Sequence, residues 1–168
     1  TLIAKKSGDK ISVNMGKMTT DWKAIPLSEE MDSLNVPIEV ECFDKGVAVN
    51  IGNPHLVFFG KSIENINLNQ IGPKIEKHNF FPNKTNVEFI EILNSNTIKM
   101  KVWERGAGVT LACGSGACAA VYAGWKKKLL ESSVEVQLEK GSLHINIIDE
   151  EAIMIGPAEI SYNGNIQI

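Results

Sequence analysis

Hydrophobic and polar residues alternate along much of the chain with a period of two. The alternation is clearest in five segments, whose apolar members are Ile11/Val13/Met15, Ile38/Val40/Cys42, Ile98/Met100/Val102, Val134/Val136/Leu138 and Leu143/Ile145/Ile147. Successive side chains of a strand point to opposite faces, so each segment predicts a strand with one solvated face. The turn dipeptides Lys140-Gly141 and Asn163-Gly164 favour antiparallel neighbours.

Two segments depart from this period and predict helices. Leu68, Ile71 and Ile75 recur at helical spacing, although Gly72-Pro73 interrupts them. Residues 115–130 are small and apolar on nearly every face and end in a run of lysines, as expected of a buried helix whose carboxyl end favours cations. We therefore expect an α+β fold in which a mainly antiparallel sheet curls around one buried central helix.

Composition limits the classes of protein to consider. The chain has 168 residues, 43% of them hydrophobic and 22% charged, which is enough for one globular unit with a substantial core. Its formal net charge of −3 argues against a cationic surface for nucleic acid. No uninterrupted apolar run is long enough to span a bilayer, and no signal peptide opens the sequence. We expect a cytoplasmic protein that binds neither nucleic acid nor membrane.

The three cysteines do not form a recognisable framework. Cys42 is distant in sequence from the pair Cys113 and Cys118, and the pair is five residues apart. These spacings match neither a set of disulfides nor the Cys-x-x-Cys pairs of a zinc site. We expect free thiols and no metal.

The glycine-rich segment from Glu104 to Cys118 lies between a predicted strand and the predicted central helix. Its glycines invite a nucleotide-binding interpretation. However, Gly106-x-Gly108 is followed at the third position by Leu111, and no Gly-Lys-Ser/Thr follows, so both the dinucleotide and the phosphate-loop patterns fail.

Cys113 is the candidate reactive group of this segment. A thiol just before the first turn of a helix faces the positive end of the helix dipole, which lowers its pKa towards neutrality. The unpaired N–H groups of Gly114, Ser115 and Gly116 would bind a carboxylate. A base beside a carboxylate site suits proton abstraction at an amino-acid α-carbon. The alternative is that Cys113 only packs, which is our interpretation for the other two cysteines.

The sequence resembles diaminopimelate epimerase, which interconverts LL- and meso-diaminopimelate for lysine and peptidoglycan synthesis. The matching motifs occur in family order: Val13–Gly16, Gly52–His55, Phe80–Pro82, Asn86-Val87, Glu104–Gly106, Leu111–Cys118, Gly141–Leu143 and Gly156–Ala158. Val109 departs from the family, which usually has Glu there, and its effect on the polarity of the loop is left open.

The resemblance implies a role for each site residue. Cys113 is one of two acid/base cysteines, and Glu104 and His55 are the polar pair that orients the reacting centre. The remaining residues bind substrate: Asn53, Asn86 and Arg105 at the distal amino-acid end, and Gly114 and Ser115 at the carboxylate of the reacting carbon. Taken alone, each has a structural alternative, such as a turn at Asn53 or a core position for His55.

The second cysteine of the family has no counterpart here. We therefore expect residues 1–156 to be the C-terminal catalytic domain of a two-domain epimerase that uses no cofactor, inactive without an N-terminal half that carries the other cysteine. Residues 157–168 would be a strand belonging to that half, and its exposed edge invites disorder or pairing in a homodimer.

Two other functions remain open from the sequence. The chain could be a related amino-acid racemase or isomerase of the same fold, or a non-catalytic amino-acid-binding module. Three polar residues suited to a second zwitterionic end favour diaminopimelate over a compact substrate such as proline.

Overall fold

Ten strands and two helices make up the chain in a computed structural model, which describes residues 2–159 and 163–166. The strands are β1 (Ile3–Ser7), β2 (Lys10–Lys17), β3 (Val47–Asn50), β4 (Pro54–Gly60), β5 (Asn86–Asn94), β6 (Thr97–Glu104), β7 (Gly108–Thr110), β8 (Ser133–Leu138), β9 (Gly141–Ile148) and β10 (Glu151–Pro157). The helices are α1 (Leu68–Glu76) and α2 (Gly114–Lys126). Within the described residues, no helix is long and apolar enough to cross a membrane.

The strands form one sheet in the order β1-β2-β10-β9-β8-β6-β5-β4-β3, and β7 pairs with β6 off this path. Most neighbours are antiparallel, while β4 pairs with β5 and β6 with β8 in parallel. Each parallel pair is joined by a connection that contains a helix, as parallel strands require. The expected α+β fold is confirmed.

The sheet curls around α2 and closes on itself. The helix packs against β3, β4, β5, β8, β9 and β10. Thr19, just after β2, and Asn50, at the end of the edge strand β3, exchange backbone hydrogen bonds of 3.0 and 2.9 Å, which join the chain beyond β2 to the opposite edge of the sheet. The predicted central helix therefore lies inside a nearly closed wall of strands.

Small side chains allow this arrangement. Every residue of α2 from Gly116 to Gly124 is buried, and Ala, Gly and Cys make up most of them. A second apolar cluster covers the outer face of β3, β4 and β5, where α1 and the segment before β3 pack. Strand β4 and residues 86–90 of β5 are thus buried on both faces.

One predicted strand is absent. Residues 38–42 form a loop and a turn, not a strand, although Ile38 and Val40 are buried against the outer face of the sheet. Cys42 has a φ of 67° and is exposed, so the expectation that it packs in a strand is wrong. The alternation of buried and exposed side chains arises here because a loop lies on the sheet, without strand pairing by its backbone.

The end of the chain is described only in part. Strand β10 ends at Pro157, and residues 158–159 and 163–166 are exposed without regular structure. The expected strand over residues 157–168 and the turn at Asn163-Gly164 extend onto residues 160–162 and 167–168, which lie outside the described residues.

Candidate active site

Four elements bring the predicted site residues to one end of the sheet. His55 follows the first residue of β4, and its register partner Asn86 begins the parallel strand β5. Strand β6, antiparallel to β5, ends at Glu104 on the same side. The amino end of α2 lies inside this rim, preceded by Cys113. Strands β4 and β5 begin, and β6 ends, at the same edge of the sheet. Residues far apart in sequence therefore come together there.

Cys113 is the N-cap of α2. Its backbone is extended, with φ −142° and ψ 109°, and its Sγ accepts a hydrogen bond from the N–H of Gly116 at 3.4 Å. Ser115 Oγ lies 3.5 Å from the same sulfur. Gly114 and Ser115 open the helix, where backbone N–H groups have no acceptor within the helix. The expected juxtaposition of a thiol with helix-end N–H groups is present.

The direction of the expected pKa shift is wrong for the chain as described. Burial of Cys113, which is only 7% exposed, raises the pKa of its thiol to about 11. The negative charges of Glu88 and Glu104 raise it further, whereas the hydrogen bonds from Ser115 and Gly116 lower it. Loss of hydration therefore outweighs the helix end, and Cys113 rests as a protonated thiol at neutral pH.

His55 lies at the centre of a buried polar chain. Its Nδ1 is 2.7 Å from Glu88 Oε1, and its Nε2 is 3.1 Å from Asn53 Oδ1. His55 and Glu88 are both fully buried. The structure thus links two of the predicted residues, Asn53 and His55, to a carboxylate that the sequence motifs did not single out.

Asn86 connects two sides of the rim. Its Nδ2 donates to Pro54 O at 3.0 Å, and its Oδ1 accepts the backbone N–H of Arg105 at 2.9 Å. Arg105 itself donates from Nη1 to Asn83 O at 3.0 Å and is exposed. Asn86 therefore supports the position of Arg105, and the guanidinium keeps further donors for a ligand.

The loop between β6 and β7 is held by two carboxylates. Glu104 accepts a hydrogen bond from Thr110 Oγ1 across the loop. Glu76, the buried last residue of α1, accepts from Trp103 Nε1 at 2.8 Å and from the N–H of Gly106 at 3.3 Å. Gly106 and Gly108 have φ of 80° and 86°, which non-glycine residues rarely adopt.

Two further expectations concern Cys118 and metal ions. Cys118 is fully buried, and burial raises the pKa of its thiol to about 12, in agreement with a packing role. In the part of the chain that the structure describes, no three His, Cys, Asp or Glu side chains lie together so as to hold a metal ion.

Glu88 and Glu76 are the site residues that the sequence reasoning missed. Glu88 interrupts the apolar run Val87–Ile90, and a carboxylate among the buried residues at the start of β5 was the available signal. Glu76 carried no comparable signal, because a glutamate at the end of a helix is usually solvated.

Solved structures identify the class of fold. The chain superimposes on a predicted epimerase from Pseudomonas aeruginosa with a TM-score of 0.58 at 13% identity, covering 96% of this chain and 63% of that one. A hydroxyproline epimerase from Agrobacterium vitis, solved with bound trans-4-hydroxy-L-proline, gives 0.58 at 13% identity, covering 92% and 51%. At this identity the likeness shows a shared fold, that of these epimerases.

Sequence comparisons identify the family. The family model described as Diaminopimelate epimerase matches residues 47–161. The protein named diaminopimelate epimerase in Wolbachia of Brugia malayi is 48% identical over 142 residues, 84% of this chain and 55% of that protein. The one in Halothermothrix orenii is 42% identical over 172 residues, 99% of this chain and 61% of that protein. The chain belongs to the diaminopimelate epimerase family and spans little more than half the length of these relatives.

Proposed function

We propose that this chain supplies one of two acid/base cysteines to an enzyme that epimerises LL-diaminopimelate to meso-diaminopimelate. The observation that carries the proposal is the position of Cys113 Sγ at the amino end of α2, where it accepts the Gly116 N–H beside the opening amides of Gly114 and Ser115. Membership of the family and the names of its relatives support the choice of substrate.

The reaction exchanges one proton at the α-carbon. A thiolate on one face takes the α-proton, the C–H electron pair stays on the carbon and its carboxylate, and a thiol on the other face returns a proton with inversion. N–H groups of Gly114 and Ser115 would stabilise the charge that develops on the carboxylate. No external electron acceptor is required, so the proposal includes no cofactor.

In the direction of reaction that starts with Cys113 as a thiol, Cys113 is the acid that donates a proton to the α-carbon. Its pKa of about 11 means that the resting group is the thiol, which can donate a proton and become a thiolate. In the reverse direction the thiolate is the base. Glu104 and His55 would tune this exchange, since the charge of Glu104 acts on the thiol and His55 contacts Glu88, whose charge also acts on it.

The distal end of diaminopimelate is a second zwitterion. Arg105 offers exposed guanidinium donors for its carboxylate, Asn53 lies just before β4, and Asn86 at the start of β5 holds the backbone of Arg105. A compact amino acid would leave these groups unused. We place the reaction in the cytoplasm, where free thiols such as those of this chain remain reduced.

We also propose that a partner segment completes the site. Inversion requires a second thiol on the opposite face of the α-carbon, and neither of the other cysteines is placed for it, because Cys118 is buried in α2 and Cys42 lies in the exposed turn. This segment would be an N-terminal half that carries the other cysteine and pairs with residues 157–168. A homodimer through the same exposed end is the alternative arrangement.

The experiment measures LL- to meso-diaminopimelate conversion and deuterium uptake at the α-carbon in D₂O. The 168-residue chain alone should not convert substrate, whereas the chain mixed or co-expressed with the N-terminal part of the Wolbachia relative should. The Cys113→Ala variant should abolish the restored activity and Cys42→Ser should retain it. Conversion by the chain alone would overturn the two-part site, and activity retained by Cys113→Ala would overturn the role of this thiol.

A further inference from the structure

Glu88 is a buried carboxylate next to the thiol, and the proposed reaction has not yet used it. It lies on the face of β5 that points towards α2, and its side chain is fully buried. Oε1 lies 2.7 Å from His55 Nδ1. Among the described residues, Oε2 has no hydrogen-bond partner.

The contact with α2 brings Glu88 close to Cys113. A Cβ built on Gly116 would lie 2.7 Å from Glu88 Oε1 and 3.2 Å from Cys113 Sγ. Both groups therefore approach the same side of Gly116, and the absence of a side chain there allows their approach. The carboxylate, the imidazole and the thiol form one continuous group at the amino end of the helix.

The chemistry of a carboxylate determines the proton on the ring. An ionised carboxylate can only accept hydrogen bonds, so Nδ1 of His55 must carry a proton to bond Oε1. Nε2, which faces the side-chain amide of Asn53 with Oδ1 3.1 Å away, is then an acceptor, so in this tautomer Asn53 must turn its amide to donate from Nδ2. In catalytic and metal sites, a hydrogen bond to one ring nitrogen of a histidine commonly fixes the tautomer and the orientation of the ring.

We propose that Glu88 is a positioning residue that acts through His55: its Oε1 fixes the ring proton on Nδ1 and so presents Nε2 to the substrate side of the site. The catalytic meaning of this role rests on the proposed function. The tautomer itself is a property of the chain alone and is measured without substrate.

A buried glutamate at position 88 lowers the stability of the fold, so a purely structural role does not explain it. Burying a carboxylate with one unpartnered oxygen opposes folding, and an apolar side chain of the same size would pack against Ile90 and α2 without that cost. Buried charges with specific partners are concentrated at functional sites.

The first test is the tautomer of His55, read from long-range ¹H–¹⁵N correlations of the imidazole rings. The chain has three histidines, and His78→Gln and His144→Gln variants assign the signals. In the unaltered chain, His55 should carry its proton on Nδ1. In Glu88→Met, which offers no acceptor, the proton should move to Nε2 and bond Asn53 Oδ1, whereas Glu88→Gln, with its amide oxygen, should keep it on Nδ1.

The matched control is Glu91→Gln, on the opposite face of the same strand, where Glu91 accepts the N–H of Ile63 at 3.2 Å. It should leave His55 unchanged. The signals of His78 and His144 report whether each variant folds. An unprotonated Nδ1 in the unaltered chain, or an unchanged tautomer in folded Glu88→Met, overturns the proposal.

A second readout applies even if Glu88→Met fails to fold. The ionisable groups around Cys113 are Glu88 on β5, Glu104 at the end of β6, Cys118 on α2 and His55 behind Glu88. Removing one negative charge with Glu88→Gln should raise the alkylation rate of Cys113 at pH 8 by about threefold or more in a Cys42→Ser background. An unchanged rate overturns the placement of Glu88 beside the thiol, and neither readout depends on whether diaminopimelate is the substrate.

Discussion

At the residue scale, two effects act on the Cys113 thiol in opposite directions. The helix end and the Gly116 N–H stabilise a thiolate, while burial and two nearby carboxylates stabilise the thiol. The sequence revealed the first effect, because a cysteine before a glycine-rich helix start is visible in the motif. Burial and Glu88 depend on strands 25 and more residues away, so the sign of the shift could not be read from the motif.

The raised pKa predicts how Cys113 reacts with iodoacetamide. Since only the thiolate reacts, the labelling rate should rise about tenfold per pH unit from pH 7 and level off near the thiol pKa of about 11. Mass spectrometry of the Cys113 peptide measures it, and the Cys42 peptide, whose exposed thiol the reagent reaches directly, serves as the comparison. A rate that levels off below about pH 8 would instead show that the helix end dominates.

The close approach of Glu88 to Gly116 leads to a second prediction at the residue scale. Alanine usually stabilises a helix interior relative to glycine by about 0.5–1 kcal/mol. At Gly116 a Cβ would lie 2.7 Å from Glu88 Oε1, so Gly116→Ala should instead lower the free energy of unfolding by about 1–3 kcal/mol. Urea denaturation measures it. Gly114→Ala is the control, because its Cβ meets only the flexible end of Met154 and should cost less.

At the scale of elements, periodicity predicted those strands that have one wet face and failed elsewhere. The alternating segments at Ile11, Ile98, Val134 and Leu143 lie in β2, β6, β8 and β9. Strand β4 and residues 86–90 of β5 are buried on both faces, so apolar and polar residues do not alternate there. Residues 38–42 alternate in burial because a loop covers the outer sheet, and a pattern of burial alone does not specify backbone pairing.

Helix α1 is coupled to the loop between β6 and β7 through Glu76. Replacing Glu76 with Ala leaves Trp103 Nε1 and the N–H of Gly106 without their acceptor, and should lower the free energy of unfolding by about 1–3 kcal/mol. Amide hydrogen exchange at Gly106 should accelerate more than exchange in α2. Glu64→Gln, an exposed position near the same helix, should change neither quantity. Unchanged protection at Gly106 would show that the loop holds its own shape.

At the scale of the whole molecule, the buried helix requires the sheet to close around it. The sequence predicted the helix and the curled sheet, because an all-round apolar helix of small residues must be enclosed. The position of the closure could not be predicted from the sequence. Thr19 and Asn50 pair through backbone groups, and this pairing does not depend on their side chains. The part of the site on β4 begins just after this closure.

Asn50 is the residue through which the closure can be tested. Its Nδ2 donates to Ala24 O at 2.8 Å, and its Oδ1 accepts the N–H of Gly52, whose φ of 104° turns the chain towards Asn53. Asn50→Ala should lower the free energy of unfolding by about 1–2 kcal/mol and speed amide exchange at Thr19 and Gly52 before it affects β5. Asn69→Ala, at an exposed position on α1, is the matched control. Equal acceleration in β5 would mean that the closure and the sheet open together, so the wall around α2 would behave as one cooperative unit and the rim of the site could not loosen without exposing the helix.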